Sequence, residues 1–318
     1  MPLRADDLID RRRLRRKLTF WRAAAMAVAA IGLIAFAAWV YDDEFTGTGA
    51  THIAKVKIEG TITEDEELLG RLEKIRQSPR VAGVILQIDS PGGTTAGGEA
   101  IYEEVRKIAA EKPVVASVGT LAASAGYMIA SAADHIVARK SSIVGSIGVL
   151  IQFPDVTGLM DKIGVKLEEV KSSPLKAEPS PFNPTTEDER TMVRKLIMDS
   201  YDWFVGIVAE RRQMTRPQVL ALADGSIFTG RQALENKLVD AVGGEDVALD
   251  WLATKGVDTK LKVIEWKDTG SGTGLLFSKA LSRTVSRALG LPEYSGEVLQ
   301  ELGADRLFLD GLVSVWHP

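Results

Sequence analysis

Three glycine-rich segments hold the residues whose types and spacing could do chemistry. The first is Asp89-Ser90-Pro91-Gly92-Gly93, directly after an apolar run. Its paired glycines allow a close backbone approach, and their N–H groups, opening a helix, suit an anion or an oxyanion. The second is Gly119-Thr120-Leu121-Ala122-Ala123-Ser124-Ala125-Gly126-Tyr127, where small neighbours leave room around the Ser124 hydroxyl. It lacks the GxSxG pattern of a nucleophile elbow. The third is Gly145-Ser146-Ile147-Gly148-Val149. Taken singly, each has a plainer reading: a tight turn, a small-residue helix packed on a sheet, and a turn into a strand.

Other chemistries find little support. The chain has no cysteine, so no thiol nucleophile or cysteine-held zinc is available. Its three histidines, His52, His135 and His317, lie far apart and show no metal-ligand spacing. Asp134 and His135 are adjacent at the start of a strand, where side chains alternate between faces, which argues against a Ser124–His135–Asp134 triad. A net charge of −4 gives no reason to expect nucleic acid as a partner.

The elements around these segments alternate between strand and helix. Strands are predicted at 53–59, 81–88, 114–118, 136–138 and 147–151. Helices are predicted at 66–77, 96–110, 122–132 and 187–212, then in short pieces at 217–223, 231–235 and 246–253. Leu68, Leu69, Leu72 and Ile75 share one face of the first helix, and Thr186 with Glu189 forms a capping box for the long one. Val81–Ile88 is mostly apolar, as expected of a strand buried on both faces. The alternation predicts an α/β domain with a largely parallel sheet.

The N-terminus differs. Residues 1–22 carry eight Lys and Arg against three Asp, and Ala23–Tyr41 then runs for 19 residues without a charge. As a helix this run would span ~28 Å, close to a hydrocarbon core. Trp21, Trp39 and Tyr41 sit at its ends, and Asp42, Asp43 and Glu44 follow, which orients the basic end to the cytoplasm. A cleaved signal peptide is the competing reading, but its apolar core is usually shorter, ~7–15 residues. The boundaries expected are a basic cytoplasmic stretch at 1–22, a transmembrane helix at 23–41, a linker at 42–52, the α/β domain at 53–267 and a C-terminal extension at 268–318.

The order DSPGG, LAASAGY, GSIGV, together with ADHIVA (133–138), Pro181–Glu189 and FTGRQALENKLVDAVGG (228–244), resembles the signal peptide peptidase SppA family of the ClpP/crotonase superfamily. The likeness extends over about residues 50–255. It implies a ClpP/crotonase-like fold of repeated strand–strand–helix units behind one transmembrane helix. It also implies a Ser–Lys dyad, with Ser124 as nucleophile and Lys176 as general base. Lys176 precedes the Pro-rich run, and Lys171 is its competitor. Ser146 would orient the lysine amine, and Gly92, Gly93 and Ala125 would supply oxyanion N–H groups.

A lysine serves as base only when uncharged. Its ordinary pKa is ~10.4, and bringing it near 7 costs about 4 kcal/mol that burial must impose. Lys176 is therefore expected to sit dry, with Glu178 turned away. The resemblance further implies apolar peptides, such as cleaved signal-peptide remnants, as substrates, and no cofactor. It implies a homo-oligomeric ring in which Ser124 and Lys176 can come from different subunits. The expected location is the bacterial inner membrane, single-pass, with the catalytic domain in the periplasm. Two rivals remain: an acyl-CoA hydratase-like enzyme of the same fold, for which Glu99 is a carboxylate candidate, and a non-catalytic membrane scaffold.

Overall fold

A computed structural model describes residues 49–267, the strand Val313–Val315 and helical residues between 17 and 33. The chain divides into two compact units, 1–51 and 52–318. In the first, the described residues between 17 and 33 are helical, and Phe20, Trp21, Met26, Val28 and Leu33 are exposed. Among the described residues no helix is long and apolar enough to cross a membrane. Residues 23, 27, 31 and 34–41 of the expected span lie outside the described residues, as do residues 1–16 and 18, most of the linker, and the extension apart from 313–315.

The second unit begins with β1 (His52–Ile62), α1 (Glu66–Gln77), β2 (Val81–Thr94), α2 (Thr95–Ala109), β3 (Val114–Ala123) and α3 (Ala125–Ala132). It continues with β4 (His135–Ala138), β5 (Ile143–Gly145), α4 (Thr157–Ile163), α5 (Glu187–Arg211), α6 (Arg216–Leu220) and β6 (Ile227–Thr229). Then come α7 (Gly230–Glu235), β7 (Ala241–Val242), α8 (Glu245–Thr254), β8 (Val263–Glu265) and β9 (Val313–Val315). Among the described residues the strands form one sheet in the order β6-β5-β3-β2-β1-β8. β4 joins β3 and carries β7, while β9 lies on β2. All pairs are parallel except β2–β9 and β5–β6.

Both faces of the sheet are covered, which explains the unbroken apolar run of β2. Val84, Leu86 and Ile88 belong to the core that includes Leu72, Val105 and Phe204 from α1, α2 and α5. Ile85 points the other way, with Ile53, Val115, Val137 and Leu252 of α8. This alternation is the period of two expected of a strand. The capping box of Thr186 and Glu189 is present at the start of α5.

Three of the boundaries that differ from the sequence expectation lie beside one another at the ends of β2, β3 and β5. β2 does not end at Ile88 but runs through DSPGG to Thr94, because β1 continues beside it with Thr61 opposite Gly92 and Ile62 opposite Gly93. β3 runs to Ala123, so the next helix starts at Ala125 rather than Ala122. The strand expected at 147–151 lies upstream, at Ile143–Gly145, where it pairs with Leu121–Ala123. In each case pairing with a neighbouring strand decides the boundary, and local propensity is blind to it.

Tyr127 on α3 is fully buried, and its hydroxyl donates to Leu238 O at 2.8 Å. Burial pushes its pKa upward, so it remains a neutral donor. Tyr127→Phe leaves that carbonyl unsatisfied. It should cost ~1–3 kcal/mol, read as a lower denaturant midpoint at unchanged slope.

Candidate active site

Ser124 stands at the corner between β3 and α3. It is 1% exposed, with φ 56° and ψ −121°, a region that non-glycine residues rarely occupy. Such strain costs ~1–3 kcal/mol and persists only where the surroundings over-determine it. Here the Ser124 N–H donates to Gly145 O at 2.8 Å, and its carbonyl accepts from Met128 N at 2.9 Å. Its hydroxyl does not cap the helix. The small residues around it are required by contact. A Cβ at Gly126 would lie 2.9 Å from Ser90 O, and one at Gly98 would meet Ala125 Cβ at 3.1 Å.

Beside this corner runs the Gly92–Gly93 segment of β2. A Cβ on Gly93 would fall 1.8 Å from Ile62 O, so no other residue fits without moving β1. The Gly92 N–H donates to the Ser90 hydroxyl at 3.1 Å, and that hydroxyl donates to Gly60 O at 2.6 Å. Of the expected oxyanion donors, Gly92 is thus committed elsewhere. Gly93 is paired with Ile62 of β1 and with Ser314 of β9. Ala125 is the first residue of α3, where an N–H has no partner within its own helix. The outer side of Gly92–Thr94 carries β9, antiparallel, with Val315 opposite Gly92 and Val313 opposite Thr94.

Ser146 follows directly on the Gly145 carbonyl that holds Ser124. It is buried, has φ 51°, and its N–H donates to Ser226 O at 2.7 Å. Gly145, with φ +108°, has Phe228 packed so close that a Cβ would lie 2.9 Å from its ring. The GSIG segment is therefore part of the serine corner, held by β6.

The two lysines are sharply distinguished. Lys171 pairs with Glu169 at 2.5 Å and with Glu178. Its hydrogen bonds to Glu169 and Glu178 raise its pKa, and the bond from Lys171 lowers that of Glu178. It is a fixed cation and cannot accept a proton. Glu178, engaged by Lys171, is accordingly turned to that partner. Lys176 is exposed, and its N–H donates to Ser173 O at 3.2 Å. The dry setting expected for it is therefore not supplied within one chain. The arm that bears it, residues 156–183, also exposes Leu159, Ile163, Val165, Leu167, Val170 and Leu175.

The histidines do not serve. His135 sits opposite Val115, at the far end of β3 from Ser124, a separation of ~30 Å at strand rise. It stacks on Trp251 at 5.0 Å, while Asp134 faces Arg106 and Arg211. His52 accepts from Trp266 Nε1 at 2.9 Å; His317 lies outside the described residues. Glu99 is exposed on α2. The Ser90 hydroxyl bridges Gly60 O and Gly92 N, a contact that the sequence pattern does not show. A hydroxyl preceding Pro-Gly-Gly was the available signal.

A mixed α/β sheet whose strand ends present a strained serine beside a double-glycine strand has the design of a Clp-type serine peptidase. The Clp protease model matches residues 55–147, and the peptidase family S49 model matches residues 106–260. A protein of Enterococcus faecium assigned as signal peptide peptidase SppA is 35% identical over 240 residues, covering 71% of this chain and 70% of that one. Protease 4 of Haemophilus influenzae is 34% identical over 278 residues, covering 81% of this chain and 45% of that one. The chain belongs to peptidase family S49, the family of the SppA peptidases, and is a serine-type endopeptidase.

The Lys171 clamp has a pH signature. Glu178 is held below the ordinary carboxylate range, so its contribution is complete above pH ~4.3 and is lost as pH falls through the lowered value. Lys171 is held above its ordinary value, so its contribution is lost only in strong alkali. Protease nicking within 166–183 should rise below pH ~4 and, at pH 7, in Lys171→Met. Equal nicking of variant and wild type at pH 7 would show that the clamp does not hold the arm.

Proposed function

We propose that this chain is a membrane-anchored peptidase that cuts extended, apolar peptides with a Ser124–Lys176 dyad completed between subunits. The observation that carries the reading is the strained, buried Ser124 beside a β2 edge on which the chain already lays an antiparallel strand, β9. An extended peptide adds to a sheet edge by main-chain bonds, which leave side-chain pockets to set preference.

In this mechanism the neutral Lys176 amine takes the Ser124 proton as the hydroxyl attacks the scissile carbonyl. The oxyanion is met by the N–H groups of Gly93 and Ala125. The lysine ammonium then gives its proton to the leaving amine, which leaves an acyl-serine. Water repeats the cycle with the same base and releases the acid. Ser146, one residue from the carbonyl that fixes Ser124, orients the amine.

The exposed Lys176 supports assembly. A neighbouring copy that covers the apolar arm would remove both its side chains and the amine from water. Burial favours the neutral amine, and exposed apolar surface of this kind marks an interaction site. The Lys171 clamp keeps Glu178 from pairing with Lys176, which would hold it charged. The charge pattern of residues 1–44 supports a helix at 23–41 spanning the inner membrane, with the catalytic domain in the periplasm. There, signal-peptide remnants are the apolar peptides at hand.

Ser124→Ala and Lys176→Ala should each lower cleavage of a model signal peptide by at least ~10³-fold, while Lys171→Ala keeps most activity. The two dead variants, mixed and reassembled, should regain activity, because some interfaces then combine an intact serine with an intact lysine. A mixture as inactive as its parts would refute the shared site. Removing residues 311–318 frees the β2 edge and should raise kcat/KM for peptides; an unchanged value would show that β9 does not compete with substrate.

A further inference from the structure

Ser90 lies where the sheet loses register on both sides at once. Toward β1, Glu59 pairs with Asp89 but Thr61 pairs with Gly92. Toward β3, Ile88 pairs with Val118 but Ser90 pairs with Ala122. Each slip breaks ladder hydrogen bonds inside the protein, where unpaired polar groups are costly. Side chains supply the replacements. Asp89 Oδ1 accepts from Leu121 N at 3.1 Å on the β3 side. The Ser90 hydroxyl donates to Gly60 O at 2.6 Å and accepts from Gly92 N at 3.1 Å on the β1 side.

Ser90 also touches the other half of the site. Its carbonyl packs on Gly126 so tightly that a Cβ there would lie 2.9 Å away, and Ser90 itself is fully buried. One residue thus stands between the Gly92–Gly93 strand and the first turn of α3.

We propose that Ser90 is a positioning residue for the peptidase reaction: by pinning Gly92 to Gly60 and bearing on Gly126, it sets the spacing between the Gly93 and Ala125 N–H groups. The inference rests on the reading of those two groups as oxyanion donors. Correct spacing matters more to the tetrahedral intermediate than to bound substrate, because the charge develops only as the carbonyl is attacked.

The test compares the assembled wild type with Ser90→Ala and Ser90→Thr, using a model signal peptide and a peptide boronate. Active protein is counted by fluorophosphonate titration. Removing one oxyanion donor outright costs about 10²–10³-fold, so displacing one should lower kcat per titrated site by about 10- to 100-fold in Ser90→Ala. KM should stay within about threefold, boronate affinity should fall in step with kcat/KM, and Ser90→Thr, which keeps the hydroxyl, should recover most of the loss. Full activity per titrated site in Ser90→Ala overturns the proposal, as does a loss confined to KM. If Ser90→Ala yields no folded protein, Ser90→Cys, a near-isosteric weak donor, takes its place with the same readings. A wild type that neither cleaves peptide nor takes the fluorophosphonate overturns the underlying peptidase reading instead.

Discussion

The structure around the site depends on holding one serine in a backbone conformation it would not choose. Ser124 must leave a buried strand and start a helix within one residue, at φ 56°. The Met128 N–H holds its carbonyl from within the chain turn, and the rest of the support comes from outside, by Gly145 O on its N–H and by the close approach of α3 to Ser90 and to α2. The small residues of LAASAGY follow from this, since a larger side chain at Gly126 or Ala125 would push the serine off its corner.

The same constraint explains why the sheet is irregular where it matters. Regular ladders continue up to Ile88 and Val118, and both neighbours then slip at Asp89–Ser90. The slips leave a double-glycine strand beside the serine and open its outer edge, where β9 lies. Side chains of Asp89 and Ser90 replace the lost backbone bonds, so the irregularity is stable and not frayed. A site needing N–H groups aimed at one point could not be built from an unbroken parallel ladder, in which those groups are already spent.

The lysine is organised by a different principle. Lys171 and Lys176 are five residues apart, yet one is locked between two carboxylates and the other is exposed on an apolar arm. Neutrality of an amine requires burial, and one chain offers Lys176 none. In the proposed dyad, catalysis and assembly would be one event: the contact that buries the arm would also uncharge the base.

Much of this was legible in the residues alone. The buried strand at 81–88 and the helices at 66–77 and 187–212 were set by hydrophobic period and capping, which are local signals. Ser124 and the glycine pairs were marked by the resemblance of the three segments in order, each segment alone having a plainer reading, and the adjacency of Asp134 and His135 already argued against a triad. Strand ends, the register slips and the commitments of the Gly92 and Ser124 N–H groups were not legible, because each depends on a partner distant in the sequence or on a bond whose direction only the packed backbone defines. The exposure of Lys176 belongs to the same class: sequence names an amine, but which surfaces meet, and hence whether that amine is dry, is decided by tertiary and quaternary packing.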